Sequence, residues 1–267
     1  MSSPRNESSK SIAPTETHLA CIMNYREIIY RQYAAKFQAS GYQRPDLVRH
    51  WTRAYRRFFR GWLPASPAAA ILDVGCGGGQ MLQVLRALGF TAGQGVDISE
   101  QQAQKARAAG LDVRCGDALA ALRENSGHWD LILAIDILEH LQKGEALEFL
   151  RAAHDALKPG GRLILQMPNP SAPAGMRVRY GDLTHEIALS PDCMARLLDL
   201  FGFTAIECRE TGPVPGWAAP LATLRWLLWQ GCRAVLMIFD LIETGGLGNK
   251  VHTRVYLVSS CRPVKSP

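Results

Sequence analysis

Residues 71–79 read Ile-Leu-Asp-Val-Gly-Cys-Gly-Gly-Gly, a short apolar strand that runs into a turn made almost wholly of glycine. Missing side chains leave backbone N–H groups open to a ligand that must approach the main chain closely. Two further acids follow at a regular rhythm, Asp97 in Gly95-Val96-Asp97-Ile98-Ser99 and Asp117 in Cys115-Gly116-Asp117-Ala118-Leu119. An acid about twenty residues past the turn, ending the next strand, is placed to accept hydrogen bonds from both hydroxyls of a ribose. A third acid ending a third strand offers an acceptor where an adenine amino group would lie. The dinucleotide fingerprint G-x-G-x-x-G fails, because Gln80 stands where its last glycine belongs. The pattern describes a pocket for an adenosine carrying something other than a diphosphate.

From residue 70 onward short apolar runs alternate with helical stretches, which predicts an α/β fold. Strands are expected near 70–74, 92–97, 112–115, 130–135, 161–167, 203–209 and 253–260, and helices over 79–88, 99–109, 143–157 and 190–201. Ser99 with Gln102 reads as one helix cap, Ser190 before Pro191 as another. Lys158-Pro159-Gly160-Gly161 reads as the turn that ends the third helix. There are no internal repeats.

The glycine turn, Asp97 and Asp117, followed by WDLILAIDILEHL (129–141) and LKPGGRLILQMPN (157–169), resemble the class I S-adenosylmethionine-dependent methyltransferases over residues 70–262. The resemblance implies a Rossmann-like, seven-stranded, mostly parallel sheet with helices on both faces. It also implies S-adenosyl-L-methionine as cofactor. Gly75, Cys76, Gly77 and Gly79 would cradle the methionine and ribose. Asp97, with Ile98 beside it, would hold the ribose hydroxyls, and Asp117 with the Ala118 backbone the adenine. Carbonyls near Ala134 and Ile135 would face the methionine amino group. Asp73 sits inside a buried run, where an acid is costly unless paired, and is assigned to the cofactor.

Transfer of a sulfonium methyl needs alignment and removal of the acceptor's proton. His185, in Tyr180-Gly181-Asp182-Leu183-Thr184-His185-Glu186, is the first choice for that base, against a loop histidine bonded to the backbone. The run from Arg179 to Glu186, with Leu198–Phe203 downstream, is similar to bacterial methyltransferases associated with surface polysaccharide and O-antigen synthesis. Asp136, Glu139 and His140 are similar to the E-x-x-E-H of ubiquinone-pathway O-methyltransferases, where three side chains suggest a divalent-cation site. Here Asp136 shortens the first ligand by a methylene, so no metal is expected, and Asp136 and His140 are kept as alternative proton acceptors.

Length and composition place the remaining segments. The 267 residues and 47% hydrophobic content suit one large α/β domain with an appendage. Residues 1–20 read as a disordered tail, 21–65 as an N-terminal helical cap, and 66–262 as the cofactor-binding domain with an insert at 211–250 over the acceptor side. The cap has a helix over 24–38 and a second opened by Pro45, and carries nine basic residues from Arg26 to Arg60 against Glu27 and Asp46. It is read as an amphipathic pair or as an electropositive cap for an acidic substrate. Three readings stand for the apolar stretch 221–242, which Arg225, Arg233 and Asp240 interrupt: a buried helix, a lid, or a helix in a membrane interface anchored by Trp226, Trp229 and Phe239. Seven cysteines without a C-x-x-C pair, four of them in predicted strands or adjoining turns, read as small buried hydrophobes in a reducing cytosol.

The function expected is O-methylation of a hydroxyl on a small molecule or glycan, by a cytoplasmic enzyme with peripheral contact at the inner face of the membrane as an option. A phenolic or quinone-type acceptor is the runner-up. From different classes come an RNA-binding methyltransferase and a non-catalytic cofactor-binding subunit. The absence of an N-P-P-Y-like motif after the fourth strand argues against nucleic acid. No motif specifies an oligomer.

Overall fold

The computed structural model describes residue 29 and residues 45–216 and 219–264. The expected tail, the first cap helix and Trp217 lie outside the described residues. Every element below belongs to the unit formed by residues 40–267.

Seven strands form one sheet in the order β3-β2-β1-β4-β5-β7-β6. They are β1 (Ile71–Val74), β2 (Gly93–Asp97), β3 (Asp112–Cys115), β4 (Trp129–Ile135), β5 (Leu157–Pro168), β6 (Thr204–Glu210) and β7 (Val255–Cys261). The first five run parallel, while β7 pairs antiparallel with both β5 and β6. Chain order reverses beside β1, where Val74 pairs with Val96 on one side and Ala134 on the other. In open sheets the ligand crevice forms at such a switch point, past the carboxyl ends of the strands. All four residues of β1 are buried, as a strand covered on both faces requires.

Helices cover both faces. One core packs Phe149, Leu150, Met194 and Leu198, from α5 (Lys143–Ala156) and α7 (Pro191–Leu200), under β4 and β5. The other packs Met81, Leu85, Ala103 and Ala106, from α2 (Gln80–Ala87) and α3 (Glu100–Ala108), with Phe59 and Trp62. Those two aromatics follow α1 (Pro45–Phe58), so this part of the cap is built into the core. Trp62 Nε1 donates to Glu207 Oε2 at 2.8 Å, and the Arg209 guanidinium lies 3.9 Å from the Trp62 ring centroid. Arg209 also donates to the carbonyls of Phe58 and Arg60, fastening the end of α1 to β6.

Ser99 accepts from Gln102 N at 3.4 Å and Ser190 from Cys193 N at 3.3 Å, the caps the sequence predicts. Two features differ. Lys158–Gly161 is not a turn: β5 begins at Leu157, and this segment bulges out of register between the Trp129 and Leu131 pairings. Two short helices, α4 (Ala118–Arg123) and α6 (Met176–Arg179), were not expected; at six and four residues they are too short to establish a helical period. Cys76 is buried, whereas Cys115 is exposed and Cys208 and Cys261 are intermediate, because their strands lie at or near the sheet edges.

Gly79 is the position where the fold depends most visibly on a missing side chain. Its φ is +81° and an added Cβ would collide with Leu111 Cδ1. Gly79→Ala combines left-handed strain with overpacking, so a loss of about 2–4 kcal/mol in chemical denaturation is expected. A loss below about 1 kcal/mol would show that Leu111 has room to yield.

Candidate active site

The residues assigned to the cofactor meet at the carboxyl ends of β1 to β4. Gly75, Gly77 and Gly79 have φ of 64°, 53° and 81°, so the turn after β1 is left-handed at three alternate positions. A side chain on Gly75 would strike Ile137, just past β4, so the turn packs bare against the neighbouring strand end. Asp97 ends β2 and holds this turn. Its Oδ2 accepts from Gly77 N at 2.8 Å and its Oδ1 from Ser99 N at 2.8 Å. Burial raises the Asp97 carboxyl above the usual carboxylate range, while these two N–H groups pull it back. Ile98, the next residue, is 70% exposed and presents an open apolar face.

Asp117 lies at the start of α4, where its Oδ1 accepts from Ala120 N at 2.8 Å. It is an N-terminal cap, a role hidden from the sequence because the helix itself was not seen. Ala118 opens α4, Ala134 is buried near the end of β4, and Ile135 is half-buried at its last position. Cys76 is buried in the turn, and burial pushes its thiol well above the usual range.

Asp73 is 2% exposed in the middle of β1, and its Oδ2 has no hydrogen-bond partner. Burial first, and the charge of Asp97 second, push its carboxyl up to about 8. Glu139 is 1% exposed, with Oε2 also lacking a partner, and burial with the charges of Asp136 and Asp182 raises it strongly. These acids therefore press on one another around the crevice. A ligand that brings positive charge and hydrogen-bond donors relieves that burden. S-adenosylmethionine, with a sulfonium and an ammonium on an adenosine, fits such a lining, and the bare turn gives its backbone approach.

A second cluster is assembled from β4, β5 and the loop after β5. His140 and His185 meet edge to face, with ring centroids 4.8 Å apart. The Thr184 hydroxyl donates to Asp182 Oδ1 at 2.6 Å and accepts from His140 Nδ1 at 2.8 Å. His185 Nδ1 lies 3.0 Å from the Val178 carbonyl oxygen and 3.3 Å from that of Arg179. Two acceptors at one nitrogen place the ring proton there, which leaves the neutral ring's lone pair on Nε2. Glu186 N and Ile187 N both donate to the Glu139 carbonyl, pinning the His185 loop to the turn that carries His140.

Glu139, His140 and His185 each direct a ligand atom to within 4.8 Å of the others, a carboxylate and two imidazoles able to hold a metal ion. The sequence grouped Asp136 with Glu139 and His140 instead. Asp136 leaves that set because its backbone is left-handed, with φ 55°, and its carboxylate turns to Gln166. Gln166 Nε2 donates to Asp136 Oδ1 and Oδ2 at 3.2 and 3.0 Å. Desolvation raises the Asp136 carboxyl, while the Gln166 hydrogen bond and then His185 draw it down.

Two residues here escaped the sequence. Tyr55 on α1 donates its hydroxyl to Gln166 Oε1 at 3.0 Å, completing a line from the cap through Gln166 to Asp136. Burial, then the charges of Asp136 and Asp73, push the Tyr55 phenol well above its usual value, so it stays a donor. Gln166 carried a signal, being the polar residue in the apolar run Leu163-Ile164-Leu165-Gln166-Met167. Tyr55 carried none, lying among other aromatics of the cap.

The family described as a methyltransferase domain matches residues 41–208. The ubiquinone biosynthesis O-methyltransferase of Caulobacter vibrioides is 34% identical over 137 residues, covering 48% of this chain and 53% of that protein. A protein of the same description from Ruegeria pomeroyi is 36% identical over 104 residues, 37% of this chain and 41% of the relative. The chain thus spans about half the length of the curated relatives it matches. Among solved structures, a SAM-dependent methyltransferase from Archaeoglobus fulgidus aligns at TM-score 0.59 and 21% identity, over 87% of this chain and 99% of that one. Phosphoethanolamine N-methyltransferase 2 of Haemonchus contortus, in complex with S-adenosyl-L-methionine, aligns at 0.57 and 15%, over 91% and 61%. These likenesses are of fold.

The raised Asp73 carboxyl has a consequence for stability. The folded state keeps a proton that the unfolded chain has released, so stability falls as pH rises from about 4 towards 8. Asp73→Asn removes this dependence. Ligand-free Asp73→Asn should therefore exceed the wild type at pH 8 by an amount on the order of a few kcal/mol, and by much less at pH 5. Urea denaturation at the two pH values checks this. An equal difference at both would mean that Asp73 is ionised without cost.

Proposed function

The chain belongs to the methyltransferase-domain family as a class I S-adenosylmethionine-dependent methyltransferase, and we propose that it methylates a hydroxyl oxygen of a small-molecule or glycan acceptor. The observation that carries this reading is the His185 imidazole, fixed in the tautomer that presents a basic Nε2 beside the donor crevice. S-adenosylmethionine supplies, when bound, an electrophilic methyl carbon on a cationic sulfur with a good leaving group. The protein's part is to hold that carbon in line with the acceptor oxygen and to accept the oxygen's proton.

In this reading the Gly75–Gly79 turn, with Cys76 inside it, lies against the methionine and ribose. Asp97 receives the ribose hydroxyls on lone pairs not used by Gly77 N and Ser99 N. Asp117 and the Ala118 N–H meet the adenine edge, and Ile98 offers its open apolar face to the ring. Asp73 and the carbonyls of Ala134 and Ile135 answer the ammonium, which supplies Asp73 Oδ2 with the donor it lacks. His185 Nε2 takes the hydroxyl proton, and the Asp136 carboxylate, coupled electrostatically to His185, stabilises the imidazolium that results. His140, held by Thr184, packs against the His185 ring and keeps it in place.

A second reading has its own observation. The carboxylate and two imidazoles of Glu139, His140 and His185 are suited to a divalent cation, and such an ion would lower the pKa of a phenolic hydroxyl that reached it. That favours a phenolic or quinone-type acceptor, and the Caulobacter and Ruegeria relatives are named for ubiquinone biosynthesis.

Transfer of labelled methyl from S-adenosylmethionine to a panel of catechols and free or lipid-linked sugars separates the acceptor classes, and transfer to none would leave a cofactor-binding subunit. His185→Ala should slow the chemical step by roughly 10²–10⁴ while S-adenosylhomocysteine affinity stays within about twofold. A loss under about fivefold would return His185 to a loop anchor. Full activity after dialysis against a chelator favours the direct base. Loss restored by Mg²⁺ or Zn²⁺ favours the cation reading.

A further inference from the structure

The helix α8 (Pro220–Thr244), inserted between β6 and β7, is oriented inside out. Along its 25 residues none is buried; Arg233 and Asp240 lie on the half-buried side with Trp226 and Trp229, while Arg225 and Glu243 are exposed on the flank. Arg233 pairs with Glu210 at 2.9 Å, Trp229 Nε1 donates to the same carboxylate at 3.4 Å, and Asp240 lies 3.9 Å from His252 Nε2. The opposite face carries Leu224, Leu228, Val235, Ile238 and Ile242, between 51% and 80% exposed and recurring at helical spacing. Phe239, at 60%, flanks them. A surface helix normally turns its apolar stripe to the core. Here the core takes the ion pairs and solvent takes the leucines, an apolar patch of the kind that marks an interaction site.

What lies beside the helix identifies the occupant. The Arg57 guanidinium is 5.9 Å from the Trp226 ring centroid, so α1 runs next to the first half of α8. On α1 and just after it, Arg49, Arg53, Arg56, Arg57 and Arg60 are exposed, and none has an acidic partner among the described residues. A twofold contact with a second copy would bring two such uncompensated sets towards each other. An anionic lipid surface offers the reverse, hydrocarbon for the leucines and negative headgroups for the arginines. Among the described residues no helix is long and apolar enough to cross a membrane. We propose that α8 lies flat in the interface of an anionic lipid membrane, its outer face in the acyl boundary and the α1 arginines over the headgroups.

The tryptophans are not the anchors that the sequence made them. Trp226 and Trp229 sit on the half-buried side, against Arg57 and Glu210. Sedimentation with vesicles of phosphatidylcholine containing phosphatidylglycerol tests the proposal. At low salt the wild-type protein should pellet with them and stay in solution with phosphatidylcholine alone. Salt should release it, since the screening length falls from about 10 Å at 0.1 M to about 3 Å at 1 M. The variant Leu228→Ser, Ile238→Ser, Phe239→Ser should bind roughly tenfold more weakly or worse. The variant Arg56→Gln, Arg60→Gln should bind more weakly and lose part of the salt dependence. Unchanged S-adenosylhomocysteine affinity shows that both variants are folded. Wild-type protein that ignores the mixed vesicles at low salt, or a serine variant that binds as well as wild type, overturns the proposal. So does a wild-type dimer in sedimentation velocity that the serine changes dissolve while vesicle binding is nil, which assigns the face to a second copy.

Discussion

Asp97 reinforces a junction between two main-chain segments that Gly75 N and Cys76 N already begin by donating to the Val96 carbonyl. With one oxygen on Gly77 N and the other on Ser99 N, it ties the glycine turn after β1 to the start of α3. Apart from Cys76, the turn has no side chains of its own with which to fix its left-handed backbone. Charge-assisted bonds from backbone N–H groups to a half-buried acid are among the contacts strong enough to help do so. Once the turn is held, Gly79 starts α2, α2 covers β1 and β2, and the crevice at the switch point acquires a floor. The position proposed to meet the ribose is thus also a fastening of the scaffold, and deleting its side chain would remove both.

Around that fastening the protein accumulates negative charge and leaves it partly unanswered. Asp73 and Glu139 each retain a carboxyl oxygen without a partner, and their nearest charges are of the same sign. A core designed for stability alone would not keep them. A pocket for a cation benefits from them, because each interaction absent before binding becomes available when the ligand arrives. The left-handed Asp136, held by Gln166 and through it by Tyr55, shows the same preference for a tuned site over a relaxed one.

How much of this could be read in the chain depended on whether the information was local. The glycine turn and its following acids demand particular residue types at particular distances, so they stood out. So did the alternation of strands and helices, because each element spans several periods. The short α4 did not, and Asp117 lost half of its role with it. The Lys158–Gly161 segment has the composition of a turn, but its flanks Leu157 and Arg162 pair with β4, and its own bonds with Arg262 draw it into the sheet. Contacts across the chain were invisible: Tyr55 and Gln166 are 111 positions apart, and Thr184 meets His140 across 44. Asp136 was grouped with Glu139 and His140 on its resemblance to a known motif, and one backbone angle removed it in favour of His185. In α8 the apolar content was plain, but hydrophobicity along a helix does not say which side the protein keeps.

The way α8 joins the sheet has one further consequence. Thr211 Oγ1 donates to the Val255 carbonyl at 2.8 Å and Thr211 N to Thr253 Oγ1 at 3.3 Å, so the chain leaves and re-enters the fold at almost the same place. The excursion is a closed detour from two neighbouring antiparallel strands, on the opposite half of the sheet from the glycine turn. Lengthening, shortening or exchanging it would cost the sheet little, because loop closure depends only weakly on length. Selection is therefore free to rewrite this excursion without reopening the crevice at the glycine turn, because the two are carried on separate stretches of one chain.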